Sequence, residues 1–162
     1  MERFIFGVLL VVALSLSGTG ADPQCPVTWS FYDGHCYKLF KQLKNWGDAE
    51  RFCRQEEEGA HLASIHSKRE RDFVAEMVSR KVYLLNVWIG LWASWKPRFW
   101  RWSNGYSFRY ESWALGEPNN FLWSEYCVTL TSISGYLKWN DQNCGFQCHF
   151  ICKFQPQGEG ST

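Results

Sequence analysis

The 162-residue sequence has almost no excess of charge of either sign: 17 Lys and Arg stand against 16 Asp and Glu, a formal net charge of +1. Proteins that grip nucleic acid through its phosphates need a surplus of Lys and Arg, so this balance argues against a general nucleic-acid binder. Neither Gly-x-Ser-x-Gly nor His-Glu-x-x-His occurs, and His35, His61, His66 and His149 form no spaced metal motif. The chain therefore lacks the signatures by which common hydrolases and zinc proteases are recognised, and a binding protein is expected rather than an enzyme. No Asn-x-Ser/Thr is present, so N-glycosylation is not expected, and no internal repeat is found. Long hydrophobic runs are scarce too. One, Phe4 to Leu16, follows Arg3 and precedes the small residues Thr19-Gly20-Ala21. It is shorter than the roughly 20 apolar residues a bilayer span needs, and its flanks read as a secretory leader over residues 1–21. No second such run follows, so the expectation is an exported, extracellular protein without membrane insertion.

What is abundant is aromatic and sulfur-bearing. Aromatics make up 18% of the chain and hydrophobic residues 46%, ample for a packed core and unlike a disordered segment. Residues 22–154 suit one domain, and residues 155–162 carry nothing apolar to dock, which predicts a disordered tail. Seven cysteines follow the leader: Cys25, Cys36, Cys53, Cys127, Cys144, Cys148 and Cys152. In an oxidising compartment they read as disulfides with one left over. The Cys144, Cys148, His149, Cys152 cluster does not have a usual zinc spacing.

Local patterns suggest an α+β chain. Asp33-Gly34 between aromatic segments is a hairpin-turn signal. Apolar spacing predicts a helix over about Trp46 to Glu57, with Trp46, Ala49, Phe52 and Cys53 on one face. A second helix starts at a capping box, Ser67-x-x-Glu70, and turns Phe73, Val74, Met77 and Val78 inward, with Arg69, Arg71 and Glu76 outward. Beyond Val82 the helical period is lost. Strands are expected at Val87 to Leu91, Phe99 to Trp102, Tyr126 to Thr131, about Tyr136 to Trp139, and His149 to Phe154. Between them lies a long loop region, Ser103 to Ser124, of the kind that is usually functional. Trp88, Trp100 and Trp102 are expected in the core, whereas Trp92 and Trp95 fall in a predicted loop, and the sequence leaves open whether they form a contact surface.

That loop region supplies Glu117-Pro118-Asn119, then Glu125, and Trp139-Asn140-Asp141 follows. Three carboxylates and two amides offer only oxygen, a donor set that selects calcium over zinc or copper. Together with Trp88-Ile89-Gly90-Leu91 and the order of cysteines, these motifs resemble a C-type lectin domain over Cys25 to about Phe154. The leader and the Cys25-Pro26 opening are similar to those of snake-venom C-type lectins.

The resemblance implies a C-type lectin-like fold of two helices, antiparallel sheets and a long calcium-binding loop region, braced by Cys25–Cys36, Cys53–Cys152 and Cys127–Cys144. It implies one calcium ion held by Glu117, Asn119, Glu125, Asn140 and Asp141, the same residues binding sugar. A second ion is not expected, because Glu111 is the only carboxylate between Asn86 and Gly116. In this family Glu-Pro-Asn accompanies mannose and Gln-Pro-Asp galactose. The expected function is thus calcium-dependent recognition of mannose-type glycans on cell-surface glycoproteins, with agglutination if several sites are linked. The competing reading is a venom module that binds protein and modulates haemostasis without sugar. Cys148 is left with three alternatives: a free or buried thiol, an exchange with Cys53, or an inter-chain bridge making a disulfide-linked homodimer.

Overall fold

A computed structural model describes residues 25–94 and 99–157. The leader, Trp95 and the last five residues of the tail lie outside the described residues. Among the described residues no helix is long and apolar enough to cross a membrane.

Strands β1 (Ser30–Tyr32) and β2 (His35–Lys44) form the hairpin that Asp33-Gly34 signalled, pairing Tyr32 with His35. Asp33 and Gly34 take φ of 44° and 76°, left-handed values that match the twist of a two-residue hairpin loop. Helix α1 (Trp46–Glu56) begins at Asn45, whose side chain accepts from the Asp48 N–H and satisfies one of the free amides of the first turn. It buries Ala49 and Cys53, with Trp46 and Phe52 packed beside them. After β3 (His61–Leu62), helix α2 (Lys68–Ser79) buries Val74, Ala75, Met77 and Val78.

Two features of α2 depart from the sequence reading. Ser67 Oγ does cap the Glu70 N–H at 3.1 Å, but Glu70 turns to the His66 N–H at 2.7 Å and into the interior, where it is 7% exposed. Its partner there is a buried lysine, described below. Arg71, expected outward, lies with its side chain only 14% exposed against Asp72 and Ser112.

The remaining strands are β4 (Val87–Ala93), β5 (Trp100–Trp102), β6 (Cys127–Leu130), β7 (Trp139–Gln142) and β8 (Cys148–Phe154). They join in the order β1-β2-β8-β4-β6-β7, with β3 added to β8 and β5 to β4. The sheet is mixed, because β4 and β8 run parallel, pairing Val87 with His149 and Trp88 with Phe150. Strand β4 also extends to Ala93, so Trp92 is a strand residue, half-buried and 6.2 Å from the Trp46 ring, rather than a loop residue. The expected strand at Tyr136 instead begins at Trp139, since Gly135 and Tyr136 adopt φ of 63° and 67° and turn the chain. Trp88 and Trp102 are buried as expected, while Trp100 is half-buried at the rim, 5.0 Å from Trp113.

At Gly90 there is no room for a side chain. A Cβ there would lie 2.5 Å from the Leu62 carbonyl oxygen and 2.8 Å from Ser103 Oγ. That closeness lets the Gly90 N–H reach the Ala63 carbonyl at 2.9 Å and its carbonyl accept from Ser103 N–H at 2.8 Å. Gly90 thereby ties β4 to the chain on either side of it.

Three disulfides close: Cys25–Cys36, Cys53–Cys152 and Cys127–Cys144. Cys53–Cys152 spans 99 positions, and in the chain-entropy account a loop of that size stabilises by about 4.7 kcal/mol. Cys148 is free and buried, 6% exposed, with burial pushing its thiol up to about 11. An inter-chain bridge needs an accessible thiolate, so the geometry disfavours the homodimer through Cys148 and leaves a buried thiol.

Candidate functional site

Strand β7 and the long loop meet at Trp139. This residue is fully buried, with Trp102, Tyr110 and Trp113 set edge-on around it at 5.8 Å centroid separations. Edge-to-face rings gain from the opposed charge of aromatic faces and rims. Its backbone is held as firmly: Trp139 N–H donates to Ser112 O, and Ala114 N–H donates to Trp139 O, both at 2.9 Å. Residues 112–114, just before Glu117, are thus stitched to the residue just before Asn140 and Asp141. Glu117 N–H closes a turn onto Ala114 O at 3.0 Å, and the Glu117–Pro118 bond is cis.

From this anchor the oxygen donors converge. Asp141 is fully buried, and its two carboxylate oxygens accept from Asn119 N–H at 3.0 Å and Asn120 N–H at 2.8 Å. The Asn119 N–H is shared with Glu117 Oε2 at 3.1 Å, while Asn119 Nδ2 donates to Glu117 Oε1 at 3.0 Å. Glu125, 8% exposed, accepts from Phe121 N–H at 2.9 Å, and Asn119 Oδ1 accepts from the same N–H at 2.9 Å. Asn140 Nδ2 reaches the Asp141 carbonyl at 2.6 Å. Glu125 and Asp141 are carried two residues before Cys127 and three before Cys144, so the Cys127–Cys144 bridge braces both.

Electrostatically the site is strained by like charge. Burial raises the Glu117 carboxyl, a hydrogen bond to Asp141 and the charges of Asp141 and Glu125 raise it further, and the Asn119 N–H only partly opposes them, leaving it at about 7. Carboxylates driven together in this way repel one another unless a proton or a cation intervenes. The donor chemistry, three carboxylates with two amide oxygens, fits a hard oxygen-seeking ion such as calcium. Among the described residues no three His, Cys, Asp or Glu side chains stand as a cage by themselves, so such an ion would depend on Asn119 and Asn140 as well.

Sequence reasoning missed Asn120. It sits at φ 48°, a conformation asparagine tolerates better than most residues, and its Oδ1 accepts from Glu125 N–H at 3.2 Å. With its own N–H on Asp141, it joins the loop's two acidic anchors. The doubled asparagine after proline was the available signal.

Residues 42–154 match the family described as Lectin C-type domain. The chain is 68% identical over 162 residues to C-type lectin lectoxin-Lio1 of Erythrolamprus poecilogyrus, covering 100% of this chain and 99% of that protein. Among solved structures it is similar to human lithostathine, with a TM-score of 0.77 and 35% identity over 82% of this chain and 100% of the other. It is also similar to the cow C-type carbohydrate-recognition domain of CD23, solved in the presence of a GlcNAc2Man3 oligosaccharide. There the TM-score is 0.71 and the identity 29%, over 82% of this chain and 97% of that one.

Proposed function

Because the chain belongs to the C-type lectin domain family, a family of non-enzymatic carbohydrate- or protein-binding modules, we propose that it binds mannose-type sugars in a calcium-dependent way. Glu117, Asn119, Glu125, Asn140 and Asp141 would hold one calcium ion and the sugar together. The observation that carries this reading is the direct pairing of Glu117 with Asn119 over Asp141, which puts an acceptor, a donor and a buried anion at one point of the loop.

A hard divalent ion at this point supplies open coordination positions for two neighbouring hydroxyl oxygens. The protein's own groups set the hydrogen-bond polarity around them. An ionised carboxylate only accepts, so Glu117 and Glu125 accept hydrogen bonds from the hydroxyls; an amide can donate, so Asn119 and Asn140 offer N–H to the hydroxyl oxygens. Asp141, held by two backbone amides, fixes where the Glu-Pro-Asn turn presents these groups. The protein is read as secreted, in keeping with its likeness to snake lectoxins, and its partners as glycans of cell-surface glycoproteins. Agglutination would require linked copies, since avidity arises from joined sites.

The test is retention on immobilised mannose in calcium, with elution attempted by galactose, mannose and a chelator. Release by mannose and chelator but not galactose is expected. Exchange of acid and amide, Glu117→Gln with Asn119→Asp, should move the preference toward galactose. Bound calcium without retention would reject the sugar reading in favour of a protein-binding module acting on haemostasis.

A further inference from the structure

Large apolar side chains gather at solvent where two loops are laced together. Tyr83 is 76% exposed, Leu84 86%, Leu85 44% and Ile133 99%. The first three lie between α2 and β4, and Ile133 tops a single tight helical turn, Ser132–Ser134, between β6 and β7. Although 48 positions separate Leu84 from Ser132, Ser132 Oγ donates to Leu84 O at 3.1 Å. Ser132 N–H donates to Asn86 Oδ1 at 3.0 Å, and Tyr136 Oη donates to Leu85 O at 3.2 Å. The two loops therefore present one contiguous surface.

The base beneath it is firm. Gly135 N–H closes onto Ser132 O at 3.0 Å and Tyr136 N–H onto Thr131 O at 2.9 Å, while the Tyr136 side chain is buried in the core. Apolar side chains this exposed add little to folding, and a contiguous group of them marks a contact surface. Charge says what kind. From Met77 to Asn86 and from Tyr126 to Asn140 there is no Asp or Glu, whereas Arg80, Lys81 and Lys138 are present. Glu76 engages Arg80, but Lys81 and Lys138 are exposed and have no acidic partner among the described residues. Lys138 O accepts from Thr131 N–H at 2.9 Å, which keeps Lys138 at the foot of the Ile133 turn, and Lys81 stands two residues before Tyr83.

We propose that this patch docks the protein peripherally on an anionic phospholipid surface. Tyr83, Leu84 and Ile133 enter the boundary between headgroups and acyl chains, and Lys81 and Lys138 meet the lipid phosphates and carboxylates. A second copy of the chain is the poorer occupant. Two copies meeting on this face would set their lysines together, with no carboxylate in either segment to offset them. The inference stands apart from the sugar reading, because it uses none of the five oxygen-donor residues.

The experiment is co-sedimentation of the secreted protein with vesicles of phosphatidylcholine alone and of phosphatidylcholine mixed equally with phosphatidylserine. EDTA is present throughout, so that calcium neither bridges carboxylates to lipid nor occupies the loop site. One lysine at such a surface corresponds to about 5-fold in affinity, so the wild type should prefer the mixed vesicles by about 25-fold, and Lys81→Ala with Lys138→Ala should lose that preference. Leu84→Ser with Ile133→Ser should weaken binding to the mixed vesicles by at least about 10-fold. Its Tm should match the wild type, since both side chains are exposed. Equal binding to the two vesicles, binding to neither, or binding that survives Leu84→Ser with Ile133→Ser overturns the proposal and leaves the calcium and sugar reading standing. A dimer in sedimentation velocity that the same pair abolishes, without vesicle binding, assigns the patch to a second copy and also overturns the proposal.

Discussion

Replacing Lys153 by methionine should be among the most damaging single changes available outside the disulfides. Lys153 is 6% exposed and its ammonium lies 2.6 Å from Glu70 Oε1 and 3.0 Å from the Ser64 carbonyl oxygen. Glu70 is 7% exposed and also receives the Tyr37 hydroxyl at 2.6 Å and the His66 N–H at 2.7 Å. Burial alone would raise the Glu70 carboxyl, but the Lys153 charge and these hydrogen bonds overcome it and hold the group below its ordinary value. Burial likewise draws the Lys153 ammonium down, and Glu70 opposes that fall. Removing one member of a buried pair strands the other charge and typically costs about 3–5 kcal/mol. Because Glu70 keeps two donors in the variant, the lower end applies, about 3 kcal/mol, or a fall in Tm on the order of 10 °C. Urea denaturation without reductant measures it, provided the m-value is unchanged. The double variant Lys153→Met with Glu70→Gln should cost less than Lys153→Met alone, since no charge is then stranded. The pH dependence has a definite sign. A depressed carboxyl contributes stability above its unfolded value, near 4.3, and loses it as pH falls through the folded value. The gap between wild type and Lys153→Met should therefore be widest near neutrality and close in acid. A penalty below about 1 kcal/mol at pH 7, or a double variant costing the sum of the singles, would refute this account.

Three further outcomes are expected. Asp141→Ala should abolish calcium and sugar binding together, measured by calorimetry, because the same carboxylate also holds Asn119 and Asn120 N–H; sugar binding that survives would remove Asp141 from the site. Gly90→Ala should lower thermal stability by about 1–3 kcal/mol, since its Cβ must push a backbone carbonyl and Ser103 aside; a neutral result would mean that β4 moves freely. Cys148 should stay unreactive to a thiol reagent in the native protein and react once denatured, with a monomer band on a non-reducing gel. Rapid native labelling would contradict its burial.

Much of this architecture is local enough to be read along the chain. The Asp33-Gly34 turn and the apolar faces of both helices depend on neighbours within a few residues. The oxygen donors could be named because their residue types, and the motifs around them, are unusual together. Three of the misreadings share a cause: a partner far away in sequence. Glu70 reads as a capping residue until Lys153, 83 positions on, claims its carboxylate. Arg71 reads as solvated until Ser112 lies beside it. Trp92 has a loop's local composition, but β6 pairs it with Cys127 and holds it in a strand. No local pattern could place β4 parallel to β8, which requires the whole intervening chain to return.

The antiparallel register of β2 on β8 has a practical corollary. Cys36 faces Phe154 at one end of this pair, and Lys44 faces Cys148 at the other, near which Cys144 accepts from Trp46 N–H. Along β8 six residues separate the two ends, about 20 Å, while β2 takes eight because its register shifts between Phe40 and Lys44. Cys25, bridged to Cys36, and the residues after Phe154 therefore leave from one edge of the sheet, while Cys144 and the loop it braces belong to the far one. A rigid tether joined at Cys25 or directly after Phe154 would root the molecule at that end, like a brush bristle, and leave the Cys144 end free. Copies planted side by side would all point their loops the same way.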